Sequence, residues 1–161
     1  MPQLLTTQLT VIELALYNLI LTSVSAVIPQ PFVTTSRRPN VFGNVDPSQQ
    51  PWFALCPLKG TFNNGEAPGL TVLTTRYFVQ ILMRADFVPY DPQTQQAPQD
   101  LLNAGLYAVM AAVFLPGGQK QTLGGLVVET LLEDYTMDSG ILDAQTALEL
   151  IMSTKVGING N

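Results

Sequence analysis

The chain has 161 residues, 12 of them acidic and 7 basic, for a formal net charge of −5, with one cysteine and no histidine. The length suits a single domain around one core, and the acidic balance argues against a surface built from many phosphate contacts, leaving only a local basic spot at Arg37–Arg38. The lone Cys56 excludes an internal disulfide, and the missing histidine removes the Ser-His-Asp and Cys-His arrangements and the common zinc ligand sets.

The first element reads as a helix over about residues 4–28. Leu5, Leu9, Ile12, Leu16, Leu19, Ile20 and Val27 recur at three- and four-residue steps and give one apolar face. Thr6 or Thr7 is placed to cap its start, and Pro29 and Pro31 end it. Leu9–Ile28 is apolar but contains Glu13 and Asn18, and no Lys or Arg precedes it. That pattern fits neither an export signal nor a spanning helix, so the expectation is a protein made in the cytoplasm, with no membrane partner.

Phe32–Ser36 is a short strand candidate. Arg37–Pro51, rich in Pro, Asn and Gln, reads as a long mobile loop, and so does Val88–Pro98. Trp52–Leu58 is the next strand, with Pro57 marking an edge or an exit. Lys59–Gly69 reads as a turn region around Asn63-Asn64-Gly65. Leu70–Arg84 is the strongest strand pattern, alternating Thr71, Leu73, Thr75, Tyr77, Val79, Ile81 and Met83 with a second set. Arg76, Gln80 and Arg84 fall together on that second face, which is expected to be partly wet or paired across an interface.

Gln99–Leu115 reads as a second helix, with Leu101, Leu102, Leu106, Val109, Met110, Val113 and Phe114 to one side. Pro116-Gly117-Gly118 stops it. Leu126–Leu132 and Ala147–Thr154 are the last strands, Glu133–Ala144 turns between them, and Lys155–Asn161 is expected to fray. The whole gives an α+β fold, a mostly antiparallel sheet with two main helices on one face.

Candidates for chemistry are sparse. Asp138 and Asp143 flank Gly140, but without the ligand spacing of a calcium loop they read as a solvated turn. Gly124-Gly125 lacks the Lys-Ser/Thr of a phosphate loop and reads instead as a structural turn needing a positive φ or a close backbone approach. Neither a catalytic residue, a metal site nor a cofactor is expected. Charged residues are only 12% against 47% hydrophobic, whereas a monomeric surface usually carries roughly 25–35% charge. The deficit points to surface covered by partner subunits, against the plainer reading of a neutral surface rich in Thr, Gln and Asn. The interface candidates are Arg37, Arg38, Trp52, Arg76, Arg84, Asp138 and Gly140.

The order of elements, with Thr122-Leu123-Gly124-Gly125-Leu126-Val127 following the second helix, an Asp138–Gly140 turn and the final strand Ala147–Thr154, resembles the tail-terminator (tail-completion) and neck proteins of long-tailed bacteriophages. The resemblance implies a virion protein that forms a homo-hexameric ring, sits on the last ring of the tail tube protein, stops tail growth and meets the head–tail connector. DNA would pass through the lumen without specific binding, which the net negative charge suits. The competing readings are a tail tube or baseplate subunit, or a ligand-binding or enzymatic α+β domain with a pocket near Trp52, Tyr77 and Tyr107.

Overall fold

The computed structural model describes residues 2–39, 45–64, 70–84, 92–94, 97–138 and 145–159, excepting the side chains of 2–7, 70, 98 and 159. Helix α1 spans Pro2–Ser25. Proline suits a helix's first turn, where its missing N–H has no intrahelical partner to lose. Thr6 and Thr7 therefore lie inside the helix and do not cap it, a correction to the sequence reading. Ile12, Leu16, Ile20 and Val24, at four-residue steps, are fully buried. Val27, expected on that face, lies past the helix end and is exposed, and Ile28 is buried in its place.

Five strands follow: β1 Thr34–Ser36, β2 Trp52–Asn64, β3 Leu70–Arg84, β4 Glu129–Asp138 and β5 Gln145–Asn159. They form one sheet in the order β1-β2-β3-β5-β4. Only β1 and β2 run parallel; the other neighbours are antiparallel. Because β5 lies between β3 and β4, those two strands share a direction. A parallel pair needs a long crossover, and helix α2, Pro98–Val113, occurs in it. Its start is tied by the Asp100 carboxylate, which accepts the Ala97 N–H at 2.9 Å.

Several strand boundaries depart from the sequence reading; where a strand runs further than expected, it has a neighbouring strand to pair with. Lys59–Asn64, expected as a turn, continues β2, paired from Lys59↔Arg76 to Asn64↔Thr71. Lys155–Asn159, expected to fray, continues β5, paired from Thr74↔Lys155 to Leu70↔Asn159. Glu133–Asp138, expected as a turn, belongs to β4, and Leu126–Val128, expected as strand, precedes it. Gly60, Asn63, Asn64 and Gly157 have poor strand propensity, but a ladder partner on β3 outweighs it. Pro57 sits at an irregularity in the β2–β3 register between Pro57 and Lys59, where a missing N–H is tolerated.

Both helices cover one sheet face. Phe53 and Leu55 of β2, Tyr77, Val79, Ile81 and Met83 of β3, and Leu148, Leu150 and Met152 of β5 meet Ile12, Leu16, Ile20, Leu102 and Val109 in the main core. Tyr17 and Phe32 pack edge-on against Phe53, with ring centroids at 5.2 and 5.8 Å. On the opposite face a smaller cluster, Val45, Trp52, Ala54, Leu82 and Ala147, closes one end. There the Val45 carbonyl accepts from Gln50 Nε2 and Gln145 Nε2 at 3.3 and 3.2 Å. Asp46 caps a short 3-10 turn, Pro47–Gln49, by accepting the Ser48 N–H at 2.8 Å.

Leu16 is wholly enclosed and Tyr107 is 69% exposed on α2. Leu16→Ala is expected to cost about 2–5 kcal/mol and Tyr107→Ala under about 0.5 kcal/mol, as measured by urea unfolding.

Candidate assembly surface

The sheet presents two edges. β1 accompanies β2 only over Trp52–Ala54. Beyond that, from Cys56 to Asn64, no strand lies outside β2 among the described residues, and none lies outside β4 at the opposite edge. An unpaired edge exposes a row of backbone donors and acceptors and is a template for another strand. Large apolar side chains are exposed along both margins: Val33, Leu58 and Phe62 near β1 and β2, and Phe114, Val128 and Tyr135 near β4. Single exposed apolar residues are ordinary, but three at each open edge form a pattern associated with contact.

The charges are distributed unevenly. The β4 sequence carries Glu129, Glu133, Asp134 and Asp138 and no basic residue. The other margin carries Arg37, Arg38 and Lys59. Arg37 is engaged within the chain, with Nη2 at 2.7 Å and Nε at 2.8 Å from Glu13 Oε1, which ties the end of β1 to α1. Arg38 is exposed, and its backbone N–H donates to Ser36 Oγ at 3.0 Å.

The sheet face turned away from the helices carries the other predicted residues. Arg76 reaches Glu133 at 2.8 Å. Since Arg76 pairs with Ser153 and Ser153 with Leu131, this ion pair joins β3 to β4 across the intervening β5. Gln80, on the face expected to be partly wet or paired across an interface, is 1% exposed, and its amide donates to its ladder partner Glu149 at 3.2 Å. Arg84 is half-buried at the end of β3, in register with Gln145. Asp138 ends β4 opposite Ala147. Gly140, the calcium-like turn around it and much of segment 88–98 lie outside the described residues. Trp52 is buried in the smaller cluster, and its indole Nε1 finds no acceptor among the described residues.

The segment before β4 is a turn. Leu123, Gly124 and Gly125 have φ of 51°, 72° and 90°, a left-handed run in which the last two positions are the glycines that adopt it without a Cβ penalty. The Gly125 N–H donates to the Thr122 carbonyl at 3.0 Å, and Leu123 and Val127 turn inward to the core. The glycines are there for backbone conformation and not for close approach: a Cβ at either would meet nothing within 4 Å. A groove of about 430 Å³ lies between this turn and α1, lined by Ala15, Asn18, Leu19, Thr22 and Gly124 among others.

Glu129, which sequence reasoning passed over, joins three elements. It accepts from Lys155 at 2.5 Å and Lys120 at 3.0 Å, which joins β4, β5 and the segment after α2. Lys155, then Lys120, holds its carboxyl below the ordinary value. Its signal in the sequence is weak, because Lys120 and Lys155 lie 9 and 26 positions away.

Among the described residues, Trp52, Tyr77 and Tyr107, which the competing ligand-binding reading would place around a pocket, are not brought together. Trp52 belongs to the small cluster, Tyr77 to the helix-side core, and Tyr107 is exposed. Burial pushes the Tyr77 hydroxyl above its usual value. Burial, aided by Glu13, does the same to the Cys56 thiol, which disfavours the nucleophilic thiolate. Among the described residues no group of three His, Cys, Asp or Glu is placed to hold a metal. Gln8–Ser25 of α1 is long and apolar enough to cross a membrane by length and composition. In this fold Ile12, Leu16, Ile20 and Val24 are spent on the core and Glu13 on Arg37.

No protein-family model matches the chain, and no curated protein sequence matches it. Among solved structures, a chain described as "Virion of native gene transfer agent (GTA) particle" is similar over 84% of this chain and 84% of its own length, with 6% identity and a TM-score of 0.44. A likeness this distant assigns no function.

Two outcomes are expected. Gly124→Val and Gly125→Val should each lower stability by about 1–2 kcal/mol through backbone strain alone, read as a shift in urea midpoint with unchanged slope. The Glu129 carboxyl is depressed in the fold, so its stabilisation is present above its unfolded value near 4.5 and lost as pH falls through the folded value. The stability gap between wild type and Glu129→Gln should therefore be present at pH 7 and close progressively below that unfolded value.

Proposed function

We propose that the chain is a structural virion subunit of a bacteriophage-type particle, which closes into a ring on the last ring of the tail tube, ends tube growth and offers a joining surface to the head connector. The observation that supports this best is a sheet that, among the described residues, is open at both edges, with exposed apolar side chains along each. A sheet left open at two ends is suited to repeating contacts between identical chains. A charge fraction of 12% is consistent with surface meant to be covered.

The terminator station, and a ring of six, rest on the resemblance in order of elements. In this reading DNA slides through a lumen that a chain of net charge −5 does not grip. The described residues supply contacts and scaffolding for this role, with no step of chemistry assigned to them.

Loss of the gene tests the reading directly. Tails are expected to overgrow or to remain unjoined to filled heads, as counted by electron microscopy, and the protein supplied in trans should restore both length and joining. Tails of normal length correctly joined to heads would exclude the terminator role.

A further inference from the structure

We propose that successive copies of this chain associate head to tail through their sheet edges, the acidic β4 edge of one copy lying antiparallel against the basic β1–β2 edge of the next. The proposal deepens the ring reading, on which it rests for the existence of an assembly but not for the choice of surface.

Strand direction permits the contact. β2 is antiparallel to β3, β3 to β5 and β5 to β4, so β4 runs opposite to β2. A copy related by rotation about an axis parallel to the strands keeps its strand directions. Its β2 therefore meets the neighbour's β4 in the antiparallel sense, which gives well-aligned ladder hydrogen bonds.

Charge selects this contact over the alternatives. On β4, Glu129 and Glu133 are engaged within the chain by Lys155, Lys120 and Arg76, whereas the exposed Asp134 carboxylate accepts the Tyr135 N–H at 2.8 Å and pairs with no cation among the described residues. On the opposite margin, Arg38 and Lys59 make no ion pair among the described residues. A twofold contact of β4 with β4 would set acid against acid, and one of β2 with β2 would set base against base. Only the heterologous contact, edge to opposite edge, brings unlike charges together.

Register supports the same pairing. Ser36, the last residue of β1, is level with Ala54, and Arg38 follows it in the bend past the strand end. Cys56 pairs with Phe78, Phe78 with Ile151, and Ile151 with Asp134. Cys56, on the margin that Arg38 borders, and Asp134 thus stand on one row at opposite ends of the sheet. Repeating the sheet from copy to copy without stagger brings them face to face. The same contact covers Leu58 and Phe62 on one copy and Tyr135 on the other, each more than half exposed in the single chain.

The test uses two charge-reversed full-length chains, each first shown to fold by circular dichroism. One carries Arg38→Glu with Lys59→Glu; the other carries Asp134→Lys with Asp138→Lys. Wild type should self-associate, as read by light scattering at low salt. Each variant alone should associate at least about tenfold more weakly, because like charges then face each other. An equimolar mixture should recover association, since every contact in an alternating assembly again joins unlike charges. Assembly insensitive to both variants would overturn the edge pairing, leaving the charges as protection against aggregation and the ring reading standing. Loss in only one variant, a mixture that fails to recover, or a wild type that stays monomeric up to its solubility limit would also overturn it. Edge-dependent association with no tail defect on gene loss would instead uphold the contact and remove the ring's proposed role.

Discussion

The alternation of β3 is the constraint on which the rest of the molecule depends. Tyr77, Val79, Ile81 and Met83 all face the helices and are essentially inaccessible. A slip of one residue would turn all four to the other side. β3 is flanked along its whole length by β5 and along most of it by β2, so its register sets theirs. The helices then have one surface to cover, and α1 meets it with a four-residue repeat that matches the width of a helix face.

The scarce charges act as clasps between elements that the chain order leaves apart. Glu13 and Arg37 join α1 to the end of β1, Arg76 and Glu133 join β3 to β4, and Glu129 joins β4 to β5 and to the segment after α2. In each clasp the carboxylate is the more buried partner, 13%, 26% and 14% exposed, while the cation reaches it from a wetter position. Such pairs lie between the surface case, worth little, and the buried case, where desolvation consumes the gain. Their common geometry suggests service in fixing the arrangement of elements more than in raising stability.

Acidic residues along β4 and Pro57 and Lys59 on β2 are devices that keep lone sheet edges from sticking indiscriminately. Opposite signs at the two edges turn that protection into selectivity: like edges repel, and unlike edges attract. A chain with little charge can in this way disfavour random aggregation and still favour one ordered contact.

The sequence by itself determined the elements whose pattern is strong: α1 from its apolar stripe, β3 from its alternation, α2 from its leucine and valine spacing, and the α+β class from their order. It also located the glycine turn, although it read Leu126–Val128 as strand because the apolar run hid the positive φ values before it. The tertiary structure alone decided what depends on partners distant in sequence. Lys59–Asn64 and Lys155–Asn159 are strands because β3 lies beside them, against their own propensity. β5 enters between β3 and β4, so the two antiparallel pairs fuse into one sheet, and that fusion defines which edges remain open. The assembly candidates divided in the same way. Arg37 and Arg76 were visible as cations, but Glu13 and Glu133 came within reach only through packing, because local pattern specifies a face and never the partner that will lie across it.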